Sequence, residues 1–202
     1  MKKSFRLLLL CLLPLPLTGC VTALVGAGAF GVMSATDRRS TGAQADDQVM
    51  EVRIQNTALT YLRNNNTMQG FEPKLSVVSF NRQVLLMGLV ASEADKAFVE
   101  RVARSQPNAE KIYNYIQVAT SARGFGEVSN DSWVTSKVRT TLLGTKGVSA
   151  NHVKVVTYNG VTYVMGILTP EEQALVSNTV STTAGVQQVV TLYETFVPSN
   201  VR

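Results

Sequence analysis

The chain has 202 residues, a net charge of +5 and 45% hydrophobic residues, which suffices for one ordinary domain or two small ones. Lys2, Lys3 and Arg6 supply three of the positive charges, so the rest of the chain carries only +2. This excess is too small for a nucleic-acid-binding protein, and we expect no nucleic-acid partner.

The N-terminus has the order of a secretory signal. Three basic residues precede an apolar run from Leu7 to Leu17, and the small residues Thr18 and Gly19 precede Cys20. The apolar run is too short to cross a bilayer. We therefore predict a signal peptide over residues 1–19 and a mature chain that begins at Cys20. The other cysteine lies within the signal, so no disulfide is expected.

The four residues 17–20 also resemble the lipobox of bacterial lipoproteins. The resemblance implies that Cys20 is diacylated and then acylated on its new amino group, with fatty acids such as palmitate. Each buried methylene contributes about 0.8 kcal/mol, so two or more chains anchor a protein effectively permanently. Val21 stands where some lipoproteins carry an inner-membrane retention aspartate, so we expect the periplasmic face of the outer membrane. Display on the cell surface stays open, and an ordinary secretory signal with a chance cysteine is the alternative.

The mature chain contains one unit twice. Residues 77–81 align with 155–159, and residues 87–90 with 165–168, both at an offset of 78. We interpret residues 20–45 as an acylated tether, residues 46–121 as the first domain and residues 124–197 as the second. In the first domain the pattern predicts a helix, two strands, a helix and a strand, over Val49 to Asn64, Leu75 to Phe80, Gln83 to Val90, Ser92 to Ser105 and Ile112 to Thr120.

The second domain follows a short glycine-containing linker over residues 121–126 and repeats the order. Its first helix carries Val134, Val138 and Leu142 at four-residue spacing and is predicted to be capped by Asn130 or Asp131. A strand from His152 to Tyr158, an Asn-Gly hairpin turn and a strand from Val161 to Leu168 come next. The sequence Thr169-Pro170-Glu171-Glu172 then predicts a helix start, and residues 186–196 a last strand.

These elements resemble BON domains. The resemblance rests on the element order, on the strand ends at residues 87–90 and 165–168, and on the stretch from Asn130 to Arg139. With a lipobox in front and the segment Asp37–Gln44 in the tether, the chain resembles outer-membrane lipoproteins with two BON domains. The resemblance implies an α+β fold of two tandem BON domains, each with a three-stranded mixed sheet and two helices.

The resemblance also implies a non-enzymatic protein without a cofactor, which binds anionic phospholipid through its second BON domain and supports outer-membrane integrity. The residues favour a place for this site. Trp133 and Lys137 lie on one helix row beside the core row, so they can face outward together. A tryptophan and a cation suit a membrane interface. We expect the phospholipid site at Trp133 and Lys137, with Ser132, Ser136 and Arg139.

Other interpretations stay open at this stage. Trp133 can instead pack on the other domain while Lys137 is merely solvated. The same row can serve a protein–protein adaptor for outer-membrane assembly machinery, and the oligomeric state is open. The pattern Gly26-x-Gly28-x-x-Gly31 lacks a preceding strand, so we do not interpret it as a nucleotide site. His152 is the only histidine, so neither a zinc site nor a histidine triad is expected.

Overall fold

The structure is a computed structural model that describes residues 37–118 and 125–198. The predicted signal peptide, Cys20, the tether up to residue 36 with its glycine pattern, and residues 121–124 of the predicted linker lie outside these residues.

Each domain contains two helices and one three-stranded sheet. The first consists of α1 (Thr41–Asn64), β1 (Lys74–Phe80), β2 (Gln83–Val90), α2 (Glu93–Arg104) and β3 (Lys111–Val118). The second consists of α3 (Phe125–Gly144), a short 3-10 turn, β4 (Val153–Tyr158), β5 (Val161–Leu168), α4 (Pro170–Ser181) and β6 (Gln188–Thr195). The middle strand of each sheet pairs antiparallel with the first strand and parallel with the third. The predicted α+β fold with two mixed sheets is confirmed.

Helix starts follow the capping residues. The predicted capping box of α4 is present, because the Thr169 hydroxyl accepts from the Glu172 N–H and the Glu172 carboxylate accepts from the Thr169 N–H. Helix α1 begins eight residues before the predicted Val49, since the Ser40 hydroxyl accepts from the Ala43 N–H and caps the helix there. Residues 41–45 are therefore helical.

The predicted cap of α3 at Asn130 or Asp131 is wrong. Helix α3 begins at Phe125, and Asp131 lies inside it with a buried side chain. Its carboxylate accepts from the backbone N–H groups of Asn159 and Gly160, at 2.7 and 3.0 Å. A buried carboxylate needs such donors, so Asp131 fixes the β4–β5 turn to the helix rather than starting the helix.

Asp47 has the same role in the first domain. It is buried, and its carboxylate accepts from the N–H groups of Asn81 and Arg82 in the β1–β2 turn at 2.8 and 2.7 Å. It also accepts from the Ser79 hydroxyl at 2.7 Å. Asp47 and Asp131 are 84 residues apart, so α1 and α3 correspond at this offset.

The two sheets pack face to face, with a helical layer outside each. Alternate residues of β2 point to opposite sides, so that Val84 and Leu86 join the helix-side core while Leu85 and Met87 join a core between the sheets. In β5 the same alternation places Val164 in the helix-side core of the second domain, and Tyr163 and Met165 in the core between the sheets. The core between the domains is formed by Phe80, Leu85, Met87, Tyr163, Met165, Ile167 and Leu192.

Polar contacts across this interface are reciprocal. The Asn81 amide of one hairpin turn donates to the Glu194 carboxylate on β6 at 3.0 Å. The Asn159 amide of the other turn donates to the Gln117 side chain on β3 at 3.1 Å. Glu194 and Gln117 occupy equivalent places on the two parallel strand pairs. The domains are thus related by an approximate twofold axis, with their hairpin turns at opposite ends.

The backbone of a neighbouring segment passes close to both Gly88 and Gly166. A methyl group at Gly88 would lie 2.3 Å from the Lys74 carbonyl oxygen, which belongs to the backbone of β1. At Gly166 the nearest atoms would be the His152 carbonyl oxygen at 2.9 Å and the flexible Leu168 side chain at 3.2 Å. Both nearest atoms are backbone oxygens, but the contact at Gly88 is shorter and requires the larger shift of the backbone.

We predict that Gly88→Ala lowers the free energy of unfolding by about 3 kcal/mol and Gly166→Ala by about 1 kcal/mol. Gly126→Ala is the control, because that position lies in α3 with nothing near the added methyl group, and a gain of about 0.5–1 kcal/mol is expected. Urea unfolding of the three variants measures these differences. Equal losses at positions 88 and 166 would contradict the argument.

A second prediction concerns Glu194. Burial raises the pKa of this carboxyl above 4.5, against the hydrogen bond from Asn81, with Glu110 and Asp47 adding to the rise. The charged form therefore destabilises the fold at neutral pH. Glu194→Gln removes the charge and retains an oxygen for Asn81, so we expect a gain of about 0.5 kcal/mol at pH 7.

The gain should disappear as the pH falls below 4.5, because Glu194 is then neutral in the folded and unfolded states alike. Thermal unfolding at pH 7 and pH 4 measures it, with Glu171→Gln as the control. A gain that persists at pH 4 would contradict the electrostatic cause.

Candidate functional site

The outer face of α3 carries the predicted site residues Trp133 and Lys137. The core row of Val134, Val138 and Leu142 is buried as predicted. Trp133 lies one position before that row and is 57% exposed. The structure therefore does not place its ring in the interface with the first domain.

Trp133 and Lys137 are brought into contact. The Lys137 ammonium lies 3.8 Å from the centroid of the indole ring, which is the geometry of a cation–π pair. A methyl group at Gly185, in the loop before β6, would lie 3.5 Å from the Trp133 ring and 4.0 Å from the ammonium. The ring thus has this loop along one edge and the Lys137 ammonium over one face, while Trp133 as a whole stays 57% exposed.

The other predicted site residues lie around this pair. At about 100° per residue, Ser136 lies about 60° from Trp133, Ser132 about 100° and Arg139 about 120°. Arg139 turns toward the sheet, where its guanidinium donates to the Val155 carbonyl oxygen at the edge of β4, at 2.8 Å. Its charge meets a neutral carbonyl there.

Leu143 belongs to the same face and was not predicted. It is 73% exposed, more than Trp133, and it lies ten residues further along the helix, about 80° away around the axis and about 15 Å along it. The sequence contained a signal for it, because the core row already ends with Leu142. A second leucine beside a filled row must face outward.

Hydroxyl side chains are frequent along α3 and just after it. Five hydroxyls each donate to the carbonyl oxygen four residues earlier in the helix, and they belong to Ser132, Ser136, Thr140, Thr141 and Thr145. A hydroxyl that is already bonded to its own helix loses less when water is removed from it. The free-energy cost of desolvating this face is therefore low.

Beyond its first turn, which carries the exposed Glu127, helix α3 has exposed charges of one sign. Between residues 128 and 148 the only acidic residue is Asp131, which is buried. The cations of the same stretch are Lys137, Arg139 and Lys146. Exposed apolar side chains among cations, without exposed carboxylates, favour a partner that is both apolar and anionic.

A groove adjoins Leu143. It has a volume of about 530 Å³ and lies between the C-terminal half of α3 and the edge strand β4, lined by Leu142, Val153 and Val155 and flanked by Arg139 and Lys154. The Lys154 ammonium is bonded to the Glu51 carboxylate of α1 and to the Ser79 carbonyl oxygen, so its charge is already compensated. Arg139 is the cation that the groove offers.

The helices of the described ranges do not include a segment long and apolar enough to cross a membrane. In the same ranges, no group of three or more histidine, cysteine, aspartate or glutamate side chains is arranged to hold a metal ion.

A family model described as the BON domain matches residues 62–120 and 130–192. The chain belongs to the BON-domain family. The Trp133 face lies in the second BON domain, on the helix whose final residues lead toward the edge strand of that domain's sheet.

Two curated relatives cover most of the chain. It is 30% identical over 178 residues to the outer membrane lipoprotein DolP of Haemophilus influenzae, covering 88% of this chain and 89% of that protein. It is 30% identical over 154 residues to a 21 kDa hemolysin of Actinobacillus pleuropneumoniae, covering 76% of each. The predicted resemblance to lipoproteins with two BON domains, and to DolP among them, is confirmed.

A solved structure of CdsD, a structural protein of the type III secretion system of Chlamydia trachomatis, matches with a TM-score of 0.30 and 16% identity. The match covers 72% of this chain and 63% of CdsD, just under two thirds of the latter.

Proposed function

We propose that this chain is a lipoprotein of the outer membrane, anchored by acylated Cys20 at the periplasmic face, whose second BON domain binds anionic phospholipid through the outer face of α3. The observation that carries the proposal is the exposed Trp133 ring with the Lys137 ammonium 3.8 Å from its centroid, on a face without exposed acids. Binding of this kind would support the integrity of the envelope without catalysis.

Each part of the face has a role at a bilayer surface. The indole ring of Trp133 sits well among lipid headgroups, where one part is apolar and one part is wet. Leu143 supplies a second apolar anchor further along the helix. Lys137 and Arg139 contribute about 1 kcal/mol each near an anionic surface. Because Leu143 and Trp133 lie along one helix, we infer that α3 lies parallel to the bilayer rather than pointing into it.

The anchor makes such a weak site sufficient. Two cations and two apolar side chains supply only a few kcal/mol, so a free domain would bind loosely. A tether raises the effective concentration of the face near the bilayer to about the millimolar range, where loose contacts are occupied. The name of the H. influenzae relative, an outer membrane lipoprotein, agrees with this location.

Vesicle sedimentation tests the lipid specificity. The chain from residue 21 onward, without acyl groups, should sediment with vesicles containing phosphatidylglycerol and stay in solution with phosphatidylcholine vesicles, and added salt should weaken binding. We predict that Trp133→Ala combined with Lys137→Glu reduces binding by at least about tenfold. Leu143→Ala alone should weaken binding less.

The first domain offers a matched control. Val49 and Arg53 occupy the positions of α1 that correspond to Trp133 and Lys137 at the offset set by Asp47 and Asp131, and Val49 is also exposed. Val49→Ala with Arg53→Glu makes the same changes of charge and should leave sedimentation unchanged. Equal binding to both kinds of vesicle would sink the proposal. Retained lipid binding with loss of a stoichiometric protein partner would favour the adaptor function instead.

The only tryptophan of the chain provides a second measurement. Trp133 is exposed, so its emission should shift to shorter wavelength when phosphatidylglycerol vesicles are added and should then resist quenching by acrylamide. An unchanged spectrum while the protein sediments would place the contact elsewhere on the molecule.

The anchor is tested separately. We predict that the N-terminus of the protein purified from the envelope is Cys20 and carries acyl chains, as measured by intact mass. Cys20→Ser should abolish the acyl chains in the intact mass, whereas Thr22→Ser should leave them in place. An unacylated amino end on the exported protein would overturn the lipoprotein assignment.

A further inference from the structure

The segment just before α1 contains two consecutive arginines that the phospholipid site does not use. Both lie where the two domains meet. Arg38 precedes the first domain in sequence, yet its guanidinium binds the second domain. Its Nη1 donates to the Ile167 carbonyl oxygen at 2.7 Å, its two terminal nitrogens bind the two oxygens of Glu172, and its guanidinium carbon lies 4.1 Å from the centroid of the Phe196 ring.

Arg39 makes the corresponding contacts with the first domain. Its Nη1 donates to Asp47 at 3.0 Å, and Nη2 donates to Asp37 at 2.8 Å. Its guanidinium carbon lies 4.2 Å from the centroid of the Phe80 ring. Asp47 holds the β1–β2 turn, and Phe80 belongs to the core between the domains. Arg39 is thus bound to the interior of the first domain.

These ion pairs are not surface contacts. The side chains of Arg38 and Glu172 are 16% and 14% exposed, and those of Arg39 and Asp47 are 17% and 3% exposed. Two-pronged binding of a guanidinium to a carboxylate fixes geometry as well as charge. At Glu172, burial raises the pKa, but the hydrogen bonds from Arg38 and from the Thr169 backbone outweigh it and hold the pKa below 4.5.

We propose that Arg38 and Arg39 form a clasp that fastens the end of the tether to both BON domains at once. Because neighbouring side chains bind opposite domains, residues 37–40 close one end of the interface. A pull on the tether then acts on the two domains together rather than on α1 alone. This role assigns a physical function to the segment Asp37–Gln44, which the sequence marked only by resemblance.

Limited proteolysis with trypsin tests the clasp directly. Trypsin must take the arginine side chain into its own pocket before it cuts, so an arginine held in the clasp is protected. In the chain from residue 21 onward, we expect slow cutting after Arg38 and Arg39. Glu172→Gln removes the charge that holds Arg38 but keeps a residue able to complete the capping box of α4. It should speed cutting after Arg38 by about tenfold.

The neighbouring glutamate is the matched control. Glu171 carries the same charge one position earlier in α4 and makes no contact with Arg38 among the hydrogen bonds above. Glu171→Gln should leave the cutting rate after Arg38 unchanged, and Glu172→Gln should affect Arg39 far less than Arg38. Intact mass identifies each cut. Rapid cutting after Arg38 in the parent chain, or the same acceleration in both glutamate variants, would overturn the clasp.

Hydrogen exchange provides the reciprocal measurement. Arg38→Gln should speed exchange of the amides at the start of α4, in the other domain, by about fivefold. Arg63→Gln is the control, because Arg63 forms an exposed ion pair with Glu72 within the first domain, and it should leave α4 unchanged. Unchanged exchange in α4 after loss of Arg38 would contradict the proposal. Faster exchange throughout both domains would also contradict it, because it would indicate a general loss of stability.

Discussion

The molecule depends on the burial of each sheet from both sides. A unit of three strands and two helices covers only one face of its sheet, and the other face remains apolar. All eight residues of β2 are buried, as are seven of the eight residues of β5. Helices that cover one face of a sheet can bury only every second residue of a strand, because strand side chains alternate between faces. Each domain therefore supplies the second half of the other's core.

This arrangement determines which surfaces remain available. The sheet faces that the helices do not cover are buried against each other, so the helical layers form the two broad outer surfaces. The outer face of α3 is one of them, and it carries the tryptophan and the exposed leucine. Charge is divided in the same way. Lys154, Arg38 and Arg39 are used internally, whereas Lys137 and Arg139 face outward or meet neutral partners. A small net charge thus conceals a helix face of one sign.

Much of this could be predicted from the sequence. The repeat, the Asn-Gly turn and the capping box each depend on neighbouring residues, and each was located correctly. The start of α3 was not, because Asp131 looks like a cap by local rules and acts instead on a turn 28 residues away. The start of α1 was missed because Ser40 follows two arginines that resemble a solvated tether. Besides Asp37, their partners lie 8 and 134 residues away, and no local pattern identifies the distant one.

The ends of the second domain are used differently, and the distance between them has a consequence for the proposed lipoprotein. Arg38 binds the Ile167 carbonyl oxygen near the end of β5. Trp133 lies beside Gly185, just before β6. The first residue of β6 pairs with the first residue of β5, so Trp133 lies near the opposite end of that strand. The two points are separated by the length of that strand, roughly 23 Å. The 17 residues from Cys20 to Asp37 can reach at most about 60 Å, so fatty chains and indole can enter the same leaflet. Two separate attachments to the bilayer would restrict rotation of the protein relative to the membrane, as a single attachment could not.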